Sequence, residues 1–169
     1  MFNSPQTATD PTGHDIVVQW QGSHDVIWME VNIDGEDVIV KLEFNGHNVD
    51  WGTPLRAFKG APGYVTVTVT SRKLPKKGRR SPGSDSDAQR VLNYVDNNTK
   101  GKLAEKLRSS LKKNQPETLD GEGEYQTYSV TNNCISFTGS CEYVYTTTPS
   151  TSPGTSRAHT RREPRMDSR

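Results

Sequence analysis

An α+β fold built on a mainly antiparallel sheet of six or seven strands is predicted by three observations. Apolar residues alternate strictly in several runs. An Asp-Gly pair sits between two of those runs. Two stretches with helical spacing, within residues 84–113, separate the runs into two halves, making a helical insertion. A β-sandwich with helical decoration is the alternative arrangement.

The first half reads as a meander of Ile16–Trp20, Val26–Ile33 and Asp37–Phe44. Asp34-Gly35 fits a type I′ turn, which needs positive φ at both central residues. Placing that pair in the loop sets Val31 opposite Val38, Met29 opposite Val40 and Ile27 opposite Leu42 on one face. The other face then pairs Asn32 with Asp37, Glu30 with Ile39 and Trp28 with Lys41. A slip of one residue would send every apolar side chain to the wrong face. A Gly- and Pro-containing loop from Asn45 to Gly63 carries Trp51 and Phe58, and Tyr64–Thr70 alternates as a half-buried strand.

Residues 71–83 contain Pro75, Gly78, Pro82 and Gly83 and read as a basic linker without regular structure. Ser84 with Asp87 three positions on forms a capping-box pattern, and Ala88, Val91, Leu92 and Val95 follow at helical spacing. Asn97, Asn98 and Gly101 interrupt it. Leu103, Ala104, Leu107 and Leu111 define a second helix. After an acidic loop the expectation returns to strands: Tyr125–Thr131, then Cys134–Thr138 and Cys141–Thr148 around Gly139-Ser140. The whole divides into a polar, disordered lead-in (1–13), one domain (14–148) and a disordered Ser/Thr/Pro/Arg tail (149–169).

Charge is segregated. Residues 1–71 carry 3 basic and 9 acidic groups, residues 72–113 carry 13 and 4, and residues 114–148 carry none and 5. The basic block between two acidic β segments points to a partner of opposite charge. Arg72, Lys73, Lys76, Lys77, Arg79 and Arg80 fall in the linker, and Lys102, Lys106, Lys112 and Lys113 extend the block along the second helix. Such a cluster neutralises phosphates without reading sequence. No Phe, Tyr or Trp lies between Arg72 and Arg90, so base stacking has no platform there.

Other chemistry is sparse. His24 and His47 would be diagonal neighbours if pairing of the second and third strands persisted, and with Asp25 or Asp50 they are the weak candidates for a metal. Cys134 and Cys141 fall out of register across the expected hairpin and read as packing residues. No Gly-x-Ser-x-Gly pattern occurs. Trp28 beside Lys41 suggests a cation–π pair or one wall of a ligand groove.

These features favour a non-enzymatic, cofactor-free protein that binds RNA or DNA backbone, or another polyanion, through the linker and second helix. One alternative is a structural or assembly subunit, of the small coat-type or viral accessory kind, self-associating through its basic and acidic surfaces. Another is a ligand- or protein-binding β module. Without an apolar run long enough for a signal peptide or a membrane span, the expectation is a cytoplasmic or nuclear protein with no membrane partner.

Overall fold

The computed structural model describes residues 14–22, 24–47 and 60–147. The expected lead-in, the loop with Asp50, Trp51 and Phe58, and the tail lie outside them.

The elements run β1 (Ile16–Gln21), β2 (His24–Ile33), β3 (Glu36–Gly46), β4 (Ala61–Thr70), β5 (Arg79–Ser81), α1 (Asp85–Asn97), α2 (Leu103–Lys113) and β6 (Glu117–Asp120). A 3-10 turn at Gly123–Tyr125, β7 (Thr127–Tyr128) and α3 (Cys134–Thr146) follow. The seven strands form an open antiparallel sheet in the order β5-β1-β2-β3-β4-β6, with β7 pairing the start of β4. The α+β expectation is met.

The β2–β3 register matches the sequence reading pair for pair, from Val31↔Val38 to Ile27↔Leu42. Asp34 (φ 52°) and Gly35 (φ 87°) supply the two left-handed residues of the turn. Burial explains why this register wins. Ile27, Met29, Val31, Val38, Val40, Leu42, Val65, Val67 and Val69 all lie on one face and are at most 2% exposed. Each such side chain contributes about 1.5–3 kcal/mol on burial. The three helices cover that face.

Ser84 caps α1 with the expected box: its side chain accepts from the Asp87 N–H, and Asp87 returns a bond from the Ser84 N–H. Ala88, Val91, Leu92 and Val95 are buried. In α2 the inward residues are Leu103, Leu107 and Ser110, with Ala104 turned to solvent. Two glycines allow the chain to close at the far end. A Cβ on Gly121 would lie 1.7 Å from the Tyr125 carbonyl oxygen, and one on Gly63 would lie 2.3 Å from the same atom.

Three expectations are corrected. Cys134–Thr138 and Cys141–Thr148 are not a hairpin but the single helix α3, capped by Asn133 and Ser136 and burying Cys134, Phe137, Thr138, Cys141 and Tyr145. Helical spacing of those residues, met by a groove between α1 and the sheet, overrides the β-type preference of its Thr, Tyr and Val. Tyr125–Thr131 shortens to the 3-10 turn and the two residues of β7. The basic linker is partly regular: β5 pairs with β1 through Ile16↔Ser81, Val17↔Arg80 and Val18↔Arg79. Leu74 pins the rest, packing with Val17, Ile39 and Trp28 on the sheet face away from the helices.

Candidate thiol site

β2 and β3 part company at one end. Their pairing is continuous from Ile33↔Glu36 to Ile27↔Leu42, whereas Glu43–Gly46 continue only with β4. The continued pairing that would have made His24 and His47 diagonal neighbours therefore does not form. Strand parity shows what the divergence leaves free. The Glu30 N–H bonds to the Asp15 carbonyl, so even-numbered β2 residues face β1 and odd-numbered ones direct their N–H toward β3. Past Ile27 the next such donor is Asp25, whose N–H has no β3 partner and helps to hold the Cys134 thiol low.

Cys134 is the first residue of α3. Asn133 fixes this helix end: its Oδ1 accepts from the N–H groups of Ile135 (3.0 Å) and Ser136 (3.3 Å). The Cys134 N–H has no acceptor among the described residues. Thr138, one turn on, donates to Asp25 Oδ2 at 3.0 Å and ties α3 to β2. The thiol thus sits at the positive end of a helix dipole.

The imidazole of His24 is the strongest influence favouring the Cys134 thiolate. Its Nε2 is buried without a hydrogen bond and stands 3.8 Å from Glu43 Oε1, which also receives Lys41 at 3.2 Å. Hydrogen bonding with Cys134 raises the His24 pKa above its ordinary value, assisted by Glu43 and opposed by burial and Lys41. Burial opposes ionisation of Cys134, yet His24, the Asp25 N–H and Tyr128 together hold its thiol below the ordinary range. Each partner favours the charged form of the other. Tyr128 is pushed up to about 12 by burial and by Cys134, so it stays a neutral donor. Cys141 behaves oppositely: full burial raises its pKa and keeps it a thiol. A cysteine held low beside a histidine held high is the chemistry of an activated thiol.

Of the candidate binding residues singled out in the sequence, only His24 and Asp25 lie here. His47 stacks on Tyr64 at 4.4 Å and faces Asp120 at 3.6 Å, so it does not converge with His24. No metal-binding cluster occurs among the described residues. Lys41 stands over Trp28, 5.2 Å from its ring centroid. Arg79 pairs with Glu142, Arg80 with Asp15, and Lys106 and Lys113 with Glu117. Arg72, Lys73, Lys76, Lys77, Lys102 and Lys112 are in no ion pair with described residues. Cys134, Glu43 and Asn133 were missed in the sequence. The available signal was Asn133-x-x-Ser136, a capping box that places Cys134 at a first helical position.

A shallow groove of about 450 Å³, lined by Tyr94, Ser136, Gly139, Ser140, Tyr143 and Val144, runs along the outer side of α3. No helix of the described residues is long and apolar enough to cross a membrane. No family model, no curated protein and no solved structure matches this chain.

Proposed function

We propose that the protein is a thiol-dependent acyl-transfer enzyme, hydrolysing an amide or ester through Cys134, in place of the non-enzymatic role that the sequence favours. The observation that carries this reading is Cys134 at the N-terminus of α3 together with the buried, unbonded Nε2 of His24, 3.8 Å from Glu43 Oε1; the directions of the Cys134 and His24 pKa shifts agree with it.

The steps follow from the residues. The Cys134 thiolate attacks the acyl carbonyl carbon, forming a C–S bond, while the carbonyl electron pair moves to oxygen. The free Cys134 N–H and the helix dipole stabilise that oxyanion. Collapse breaks the bond to the leaving group, which takes the proton of the His24 imidazolium. Neutral His24 next accepts a proton from water as the water's oxygen attacks the thioester. The acid leaves and the His24–Cys134 ion pair is restored. Glu43, 3.8 Å from Nε2, stabilises the imidazolium charge. Cys134 is 2% exposed, which favours a slender acyl group and shields the thiolate from bulk water.

The test uses p-nitrophenyl acetate with the full chain, following nitrophenol release and the intact mass of the protein. Wild type gives turnover and a transient acetyl adduct on Cys134. Cys134→Ser and His24→Gln each lose roughly 10²–10⁴-fold in rate. Turnover or acylation unchanged in Cys134→Ser, or no adduct in wild type with Cys134 alkylating as an ordinary thiol, overturns the reading.

A further inference from the structure

The fold sorts the thirteen basic residues of the 72–113 block. Seven are matched with acids: Arg79 with Glu142, Arg80 with Asp15, Arg90 with Asp87, Lys100 with Asp120, Lys106 and Lys113 with Glu117, and Arg108 with Asp34. Of the other six, Lys102 and Lys112 stand singly at the two ends of α2. The remaining four, Arg72, Lys73, Lys76 and Lys77, fall together on the segment between β4 and β5, and all are exposed.

That segment is held in place. Leu74 is 8% exposed and packs with Val17, Ile39 and Trp28. The Pro75 carbonyl accepts from Arg80 Nη2 at 3.1 Å. A Cβ on Gly78 would lie 2.6 Å from the Val18 carbonyl oxygen, so the chain closes tightly onto β1. Arg80 and Leu74 thus anchor a strip whose four cations project to solvent with no acid among the described residues paired to them. A loop serving solubility alone has no need of such anchoring.

We infer that this strip is a second binding site, for the phosphate backbone of a nucleic acid, on the sheet face opposite the helices. Fully extended, Arg72 to Lys77 spans at most about 18 Å, the rise of about five base steps. The strip's one large apolar side chain, Leu74, is buried, leaving nothing to insert into a lipid surface. Contact through phosphates alone gives affinity without sequence choice. The site is independent of the thiol, whose residues lie on β2, β3, β7 and α3.

The test is fluorescence anisotropy of labelled single-stranded and duplex oligonucleotides across a salt series. Wild type is compared with a variant carrying Arg72→Gln, Lys73→Gln, Lys76→Gln and Lys77→Gln, and with a Lys102→Gln, Lys112→Gln control. Circular dichroism confirms that all three are folded. Expected is binding whose log–log salt slope falls by about 3–4 for duplex in the four-site variant and by less than half of that in the control. No binding by folded wild type at low salt overturns the inference. So does an equal loss in the control, a preference for vesicles of anionic lipid over the oligonucleotides, or salt-sensitive dimerisation without nucleic acid.

Discussion

The Oγ of Ser110, buried in α2, accepts the Val69 N–H of β4 at 2.9 Å and donates to the Gln115 carbonyl at 2.6 Å. One hydroxyl thus satisfies a backbone donor of the sheet and a carbonyl just beyond the helix end. Ser110→Ala removes it at little change in volume and leaves the Val69 N–H without a partner in the core. The expected loss is about 1–3 kcal/mol of unfolding free energy, read as a lower urea midpoint with an unchanged m-value.

Glu117, at the start of β6, is held at about 2 by Ser109, Lys113 and Lys106. A carboxylate depressed in the folded state contributes stability above its unfolded pKa, and that contribution is lost as pH falls through the folded value. The window is therefore from about 4.5 down to about 2. Glu117→Gln is expected to flatten the decline of Tm across that window. An equally steep decline in the variant would show that Glu117 does not set it.

The Cys134–His24 pair has opposite signs on its two sides. His24, raised, contributes at pH below its ordinary pKa and loses that contribution as pH rises through the folded value. Cys134, lowered, contributes above the ordinary thiol pKa and loses that contribution as pH falls through its folded value. Reaction with iodoacetamide should accordingly hold its plateau to lower pH than a free cysteine does. In His24→Gln the midpoint should move upward, and in Glu43→Gln it should move the same way by less. Cys141 should remain unmodified until the protein unfolds, giving an internal control.

Gly121 pairs with Thr99 and donates to the Gly63 carbonyl at 2.8 Å, while the Tyr125 carbonyl crowds its missing side chain. Gly121→Ala is expected to cost at least the roughly 1–3 kcal/mol of an overpacked site, because the obstruction is backbone and cannot rotate away. Thermal unfolding followed by circular dichroism checks it. An unchanged Tm would mean that the turn at Gly123–Tyr125 moves freely.

What could be read in advance depended on how local the cause was. The β2–β3 hairpin was legible because Asp34-Gly35 and the alternation from Ile27 to Leu42 fix turn and register within a short span. The first helix was legible because Ser84 and Asp87 form their box from adjacent residues. The last helix was not. Cys134, Phe137, Cys141 and Tyr145 carry a helical period, but Thr, Tyr and Val beside them weigh toward strands, and the groove that selects the helix is made by distant residues. That one misassignment hid the thiol site, since on a strand Cys134 has no helix end beneath it. His24 was consequently weighed with His47, a partner from which the divergence of β2 and β3 removes it. The basic linker was legible as charge alone; the acids that neutralise Arg79 and Arg80, Glu142 and Asp15, lie 63 and 65 positions away.

The tie between Thr138 and Asp25 joins residues 113 positions apart. Contacts of such separation form late, after local hairpins and helices, because loop closure must precede any reward. The meander of β1, β2 and β3 can assemble while the chain is still being made, whereas α3 is the last of the described elements in order. Until it docks, Cys134 has neither His24 nor a fixed helix end and remains an ordinary, sluggish thiol. If Cys134 acts as proposed, activation of its thiol is then coupled to docking of α3. On that proposal an unfinished chain carries no activated thiol, and a substitution that loosens α3 is expected to raise the Cys134 pKa toward the ordinary thiol value.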